Sequence, residues 1–387
     1  MKRSYLDYAA TTPVAPEVLA AMLPYFHDNP GNPSAIYAEG QQARQTVESA
    51  RSSVAKLINA RADEILFLSG GTEADNMALS GILAANGCKG RHIITTAIEH
   101  HAVLETCHFM EKQGASVTVL PVDANGILDP NAVENAIRPD TAIVSVIMAN
   151  NEIGVIQNLT GISRITREKG VYLHTDAVQA VGRIPVDVQA LGVDLLSISA
   201  HKLYGPKGIG ALYVRKGTRI SPILWGGGQE RGKRSGTENV PGIVGLGKAA
   251  EQAAATMAAE AERLTVLRDR LIAGVLATVP ESRLNGHPTQ RLPNSANFSF
   301  DYVEGESVCL NLDLAGISAS PGSACSSTST APSHVLLALG LPQHQAFGSL
   351  RLSLGRWTTE ADIDRVLEVL PGIVARLRAM SPVWTRK

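Results

Sequence analysis

Lys202 closes an apolar run in the stretch SISAHKLYGPKGIGALYV, residues 197–214. A lysine at the mouth of a buried strand loses solvent, which favours its neutral amine. A neutral amine there can form a Schiff base with a carbonyl. An ordinary strand-end cation would occupy the same place, so the segment alone leaves both readings open. Lys207, which follows Pro206 in a turn, reads as solvated. Elsewhere, FLSGGTEADN carries a strand into a helix through Gly70, Gly71 and Thr72. Free backbone N–H groups and the helix dipole make such a turn an anion site. Thr72 also suits a helix N-cap, with Asp75 three residues on. The segment lacks the lysine of a phosphate-binding loop, which argues against a nucleoside triphosphate.

Four more stretches add groups of different chemistry. In VYLHTDAVQA, Asp176 follows a strand. A buried carboxylate needs a partner, either a protonated ring nitrogen such as the pyridinium of pyridoxal phosphate or a helix N-terminus. Gln179, three residues on, faces the same ligand. AIEHHAVLE offers His100 and His101. Adjacent residues do not share a helix face, which argues against a metal pair. His100, nearer the strand end, can stack on an aromatic cofactor or move protons, whereas His101 reads as a surface residue. In ISASPGSACSSTSTAPSH, Cys325 sits among small polar residues that cannot pack a core, as expected of a loop. Exposure favours thiol reactivity; Cys88, Cys107 and Cys309 lie in apolar or helical contexts and read as structural. In LRLSLGRWTTEADID, Arg351 reads as half-buried on a strand. That suits a bidentate carboxylate clamp for a substrate or for a structural acid; Arg356 is the weaker candidate. GGGQERGKRSGTEN is too glycine-rich and charged for a core and reads as a phosphate nest or a subunit contact.

The elements that must position these groups alternate. EILFLSGG, RHIITTAIEH, ASVTVLPVD, TAIVSVIMAN, VYLHTDAV, DLLSISAHK and GALYVRK read as buried strands. TEADNMALSGILAANG, LETCHFMEKQG and ISRITREKG between them read as helices. The pattern predicts an α/β fold with a doubly wound, mostly parallel sheet. His100, Asn150, Asn151, Asp176, His201 and Lys202 then gather where strands end, which is where open sheets bind ligands. From about Gln252 a long alanine-rich helix leads to a smaller α+β domain. The expected division is a large domain over residues 15–260, with residues 1–14 and 261–387 forming the small domain that carries the Cys325 loop.

The chain has 387 residues, 44% of them apolar, and a net charge of -1. That supports a large core and gives no electrostatic footprint for nucleic acid or membrane. Four scattered cysteines make neither a disulfide framework nor a zinc site, so a reducing, cytoplasmic setting is expected. No secretory signal or membrane-length apolar run is recognised.

Taken together, SGGTEADN, NNEIG, HTDAVQA, SAHKLYGPKGIGAL, GGGQERGKRSGTEN and GSACSS, in this order, resemble the cysteine desulfurases of the NifS/IscS type, within the class-V aminotransferase family of fold-type I pyridoxal-phosphate enzymes. The resemblance covers nearly the whole chain and implies a seven-stranded large domain. It implies that Lys202 holds the cofactor, that Gly71, Thr72, Ser199 and His201 bind its phosphate, and that Asp176 pairs with its ring nitrogen. Gln179 would lie near the ring hydroxyl, His100 would stack on the ring, and Asn151 would touch cofactor and substrate. Arg351 would clamp the substrate carboxylate. Cys325 would take sulfur from L-cysteine as a persulfide, leaving L-alanine. Thr237 would reach the phosphate of a second subunit, implying a homodimer, and a sulfur-acceptor protein such as an iron–sulfur scaffold would dock transiently near Cys325. The alternatives are a selenocysteine lyase, a small-amino-acid aminotransferase, or a pyridoxal-phosphate-binding sulfur carrier without catalysis. GGGQERG and the short C-terminus resemble the nitrogen-fixation branch more than the housekeeping one.

Overall fold

The computed structural model describes residues 3–87, 90–322, 331–381 and 384. Cys88 and Cys325 lie outside them. Strand β1 (Ser4–Tyr5) starts the described chain. Seven strands then build the main sheet: β2 (Ile65–Leu68), β3 (His92–Thr96), β4 (Ser116–Leu120), β5 (Thr141–Ser145), β6 (Tyr172–Asp176), β7 (Leu195–Ser199) and β8 (Gly210–Val214). Their order is β2-β8-β7-β6-β5-β3-β4. Only β8 runs against its neighbours, while the other pairings are parallel. The apolar runs make strands buried on both faces. In β2, Ile65 and Phe67 enter one core while Leu66 and Leu68 enter the other, as the two-residue strand period requires. β4 departs from the sequence expectation of a buried strand. It is an edge strand, and of its residues only Leu120 is buried.

The helix Val240–Thr278 spans 39 residues and links two cores. Val240 to Ala253 pack into the first, with Val47, Val54, Ile198 and Ala211. Leu264 to Val275 pack into the second, with Phe298, Phe300, Leu350, Leu352 and Ile363. That second core lies on a sheet of β9 (Ser282–Leu284), β10 (Ser295–Phe300) and β12 (Ser349–Ser353), with β11 (Ile317–Ser318) pairing in parallel with β1. We place the domain boundary near residue 260, where the long helix changes cores. Leu6 belongs to the second core. Residues 9–12 instead lie against the main sheet, where Thr12 donates to His201 O through both its N (2.9 Å) and its Oγ1 (3.0 Å).

Candidate active site

A cavity of about 290 Å³ opens at the carboxyl ends of β5, β6 and β7, lined by Lys202, Asp176, Asp75, His100, Asn151, Gln179, Ser199, His201, Gly71, Thr72 and Arg351 among others. Its size lies at the small end of the roughly 300–1,000 Å³ typical of ligand pockets. Asp176 is the last residue of β6, and its Oδ1 accepts from Val178 N at 2.9 Å. Burial pushes its carboxyl up to about 6, against the pull of the Val178 N–H and the Lys202 charge. Asp75, from the helix Gly71–Asn86, faces the same space and is 1% exposed. Burial, then the neighbouring Asp176 charge, raises its carboxyl well above the usual range. Asp75 Oδ1 has no hydrogen-bond partner among the described residues. Behind the two acids, His174 binds Ser145 Oγ (2.8 Å) and Ser197 Oγ (3.0 Å). Burial drives His174 down to about 3, so it is neutral. Two buried acids and a neutral imidazole leave this end short of positive charge, and a protonated ring nitrogen fits that need.

Lys202 ends the short 3-10 turn Ala200–Lys202 that follows β7. Its Nζ donates to Ala9 O and Ala10 O, each at 2.6 Å. The other end of the cavity suits an anion. Gly70 is the N-cap of the helix Gly71–Asn86. This corrects the capping reading of Thr72, which is the second residue of the helix and is free to meet a ligand with its hydroxyl. A Cβ on Gly71 would lie 2.7 Å from Val178 Cγ2, so glycine is what lets this turn close against the sheet. Ser199 and His201 border the same space. His201 Nδ1 pairs with Thr11 Oγ1 at 3.1 Å. Burial, then Lys202, Lys207 and Arg183, lower His201 to about 4.

His100 is the N-cap of the helix His101–Lys112, and its Nδ1 accepts from Ala102 N at 3.1 Å. That contact makes Nε2 the protonated nitrogen of the neutral ring. Burial, then Lys202 and His101, hold His100 down near 4, so the neutral ring is the form present at pH 7. Asn150 builds the turn that presents Asn151: its Nδ2 donates to Ile98 O (2.7 Å) while Oδ1 accepts from Glu152 N and Ile153 N. Arg351 stands on β12 and is 1% exposed, fully buried rather than half-buried. It donates to Asp7 Oδ1 (2.8 Å) and Asn151 O (3.0 Å). Its Nε has no partner among the described residues.

The remaining sequence candidates lie elsewhere. Thr237 is exposed and off the cavity. Arg356 lies over Tyr204 at 4.2 Å and pairs with Glu260 at 3.0 Å, away from the cavity. In GGGQERG, Glu230 is buried, contrary to the reading of a segment too charged for a core. It accepts both Arg51 guanidinium nitrogens at 2.8 Å and Phe67 N at 2.9 Å. Sequence reasoning passed over Asp7, Ala9 and Ala10, and took Asp75 only as a capping partner for Thr72. The two alanines act through backbone carbonyls, which residue type does not reveal. An aspartate three residues after a glycine turn is the signal that marks Asp75.

The sequence model of the aminotransferase class-V family matches residues 4–366. A cysteine desulfurase IscS of Methanosarcina thermophila is 56% identical over 386 residues, covering 100% of this chain and 95% of that protein. Among solved structures, a NifS-like protein superposes with a TM-score of 0.91 at 38% identity, over 97% of this chain and 100% of that one. SspA in complex with cysteine gives a TM-score of 0.82 at 36% identity, over 92% of this chain and 100% of that one.

Proposed function

The chain belongs to the aminotransferase class-V family, and we propose that its cavity under Lys202 desulfurates L-cysteine with Cys325 as the sulfur acceptor. The chain is a cysteine desulfurase and its cofactor is pyridoxal 5′-phosphate. In the proposed reaction, L-cysteine and the Cys325 thiol give L-alanine and a persulfide on Cys325. The C–S bond of the substrate breaks, an S–S bond forms, and the thiol proton ends on alanine. The observation that carries this reading is the convergence of Lys202, Asp176 and Arg351 on one cavity.

When bound, pyridoxal phosphate supplies an electron sink for charge developing at the substrate Cα. Lys202 would hold the cofactor, and its amine would be the base that takes the Cα proton. Asp176, anionic beside a protonated ring nitrogen, keeps that nitrogen charged. Gly71, Thr72, Ser199 and His201 hold the phosphate at the helix N-terminus. Gln179 meets the ring oxygen. His100 covers the ring and, with Nδ1 engaged by Ala102 N, offers an Nε2–H donor to the substrate sulfur. Asn151 and Arg351, both on the cavity wall, hold the substrate carboxylate. Thr237 is exposed and off the cavity, which suits a homodimer in which it reaches the phosphate held by the second copy. The persulfide serves iron–sulfur cluster assembly, with nitrogenase maturation as one destination, through a transiently bound acceptor protein. No helix among the described residues is long and apolar enough to cross a membrane. With Cys107 and Cys309 free thiols, we assign the protein to the cytoplasm.

The test is alanine production from L-cysteine by holoenzyme and by Lys202→Ala. Alanine from the first and none from the second supports the reaction. No alanine from the wild type would overturn it and favour an aminotransferase, a selenocysteine lyase or a sulfur carrier.

A further inference from the structure

Gln179 lies in the turn after β6 and is 4% exposed. Its amide has two fixed contacts of opposite kind. Nε2 donates to Ala9 O at 2.9 Å, and Oε1 accepts a hydrogen bond from Arg183 Nη1. Reversing the amide would set its NH2 group against a guanidinium and its oxygen against a carbonyl. Both contacts would turn repulsive, so the amide has one sense. Ala9 and Gln179 both border the cavity, and the amide therefore presents an N–H there and keeps its oxygen turned away. Arg183 is half-buried, and its other nitrogen donates to Tyr8 O (3.0 Å) and Lys202 O (3.3 Å). One guanidinium thus fixes the amide, the N-terminal segment and the backbone of the attachment lysine.

We propose that Arg183 is a positioning residue that locks Gln179 as a hydrogen-bond donor and so selects a cofactor whose ring oxygen is a phenolate. The inference rests on the reading that pyridoxal phosphate attaches at Lys202. A donor held at that oxygen favours the deprotonated oxygen over the phenol. An amide held by Ala9 O alone would offer its carbonyl part of the time and weaken the preference.

The test is the visible absorption of the bound cofactor, titrated with pH in the holoenzyme without substrate. Gln179→Leu should raise the midpoint of the spectral change by about one pH unit, a roughly tenfold change in the proton equilibrium, and Arg183→Met should raise it by less. The double variant should shift no further than Gln179→Leu, because Arg183 acts through that donor. Gln179→Glu, which keeps a partner for Arg183 but has no N–H, should shift the midpoint in the same direction. Arg183→Lys, which can still donate to Oε1, should restore most of the wild-type midpoint. If Arg183→Met does not fold, Gln179→Glu and Arg183→Lys decide the matter. An unshifted midpoint in Arg183→Met or in Gln179→Glu, additive shifts in the double variant, or a lysine variant as displaced as Gln179→Leu would overturn the role of Arg183 alone. A wild-type spectrum unchanged by Lys202→Ala would overturn this inference together with the attachment on which it rests.

Discussion

Replacing Arg351 with lysine separates its two jobs. The side chain is 2% exposed and reaches Asp7 Oδ1 at 2.8 Å and, through its other terminal nitrogen, Asn151 O at 3.0 Å. These contacts hold the guanidinium plane, and the residue borders the cavity. A lysine keeps the charge but has no fork, so it cannot hold Asp7 and Asn151 and also meet a carboxylate. One charge-assisted hydrogen bond to the substrate is lost, and such bonds contribute about 1.5–3 kcal/mol. At about 2 kcal/mol, the apparent Kd for L-cysteine rises roughly thirtyfold. The assay is the change in cofactor absorbance on titration with L-cysteine, repeated with cysteamine, which has the amine and thiol but no carboxylate. Arg351→Lys should weaken L-cysteine by that factor and leave cysteamine within about threefold of wild type. Equal weakening of both ligands would refute the reasoning and reduce Arg351 to a support for Asp7 and Asn151.

Two further perturbations test the frame around the site. Glu99 is buried against Thr96 Oγ1 and Ile147 N, and burial raises its carboxyl to about 8. The folded chain then holds a proton that the unfolded chain has already released, so this group's contribution falls as pH rises and levels off above about 8. Between pH 6.5 and 8 the loss is about 2 kcal/mol. Urea denaturation of the apoprotein at the two pH values should therefore show Glu99→Gln losing about 2 kcal/mol less than wild type, and equal losses would place the buried proton elsewhere. Glu230→Gln breaks the Arg51 pair, whose side chains are 4% and 3% exposed, and should cost about 3 kcal/mol because the buried guanidinium keeps only the half-exposed Glu48 at 3.0 Å as an ionic partner. A change below about 1 kcal/mol in denaturant unfolding would mean that water reaches Arg51.

Much of the fold is legible in the sequence because buried parallel strands declare themselves as unbroken apolar runs. The seven runs are the seven strands of the main sheet. What the runs omit is order. β4 reads as buried because Val117 and Val119 are apolar, yet it lies at the edge, and which strand ends a sheet depends on pairing across the whole chain. The long helix begins at Val240, well before the alanine-rich stretch suggests. Its early glycines look like breaks but are close contacts. A Cβ on Gly247 would lie 2.6 Å from the Ala50 Cβ, and one on Gly245 would lie 2.6 Å from the Met22 sulfur. Within the site, side chains with chemistry of their own stand out in the sequence, as Lys202, Asp176 and His100 do. Ala9 and Ala10 are silent because they contribute carbonyls. Asp7 and Arg183 are silent because they act on other residues, and only the fold brings them there.

The central claim is that sulfur leaves L-cysteine for Cys325 in a step that needs Lys202. The direct measurement is peptide mass spectrometry of the pyridoxal-phosphate-loaded protein after brief exposure to L-cysteine. One added sulfur is expected on the Cys325 peptide, absent when Lys202 is replaced by alanine. Alanine formed with no sulfur on Cys325 would contradict it and make the enzyme a lyase that releases sulfur directly.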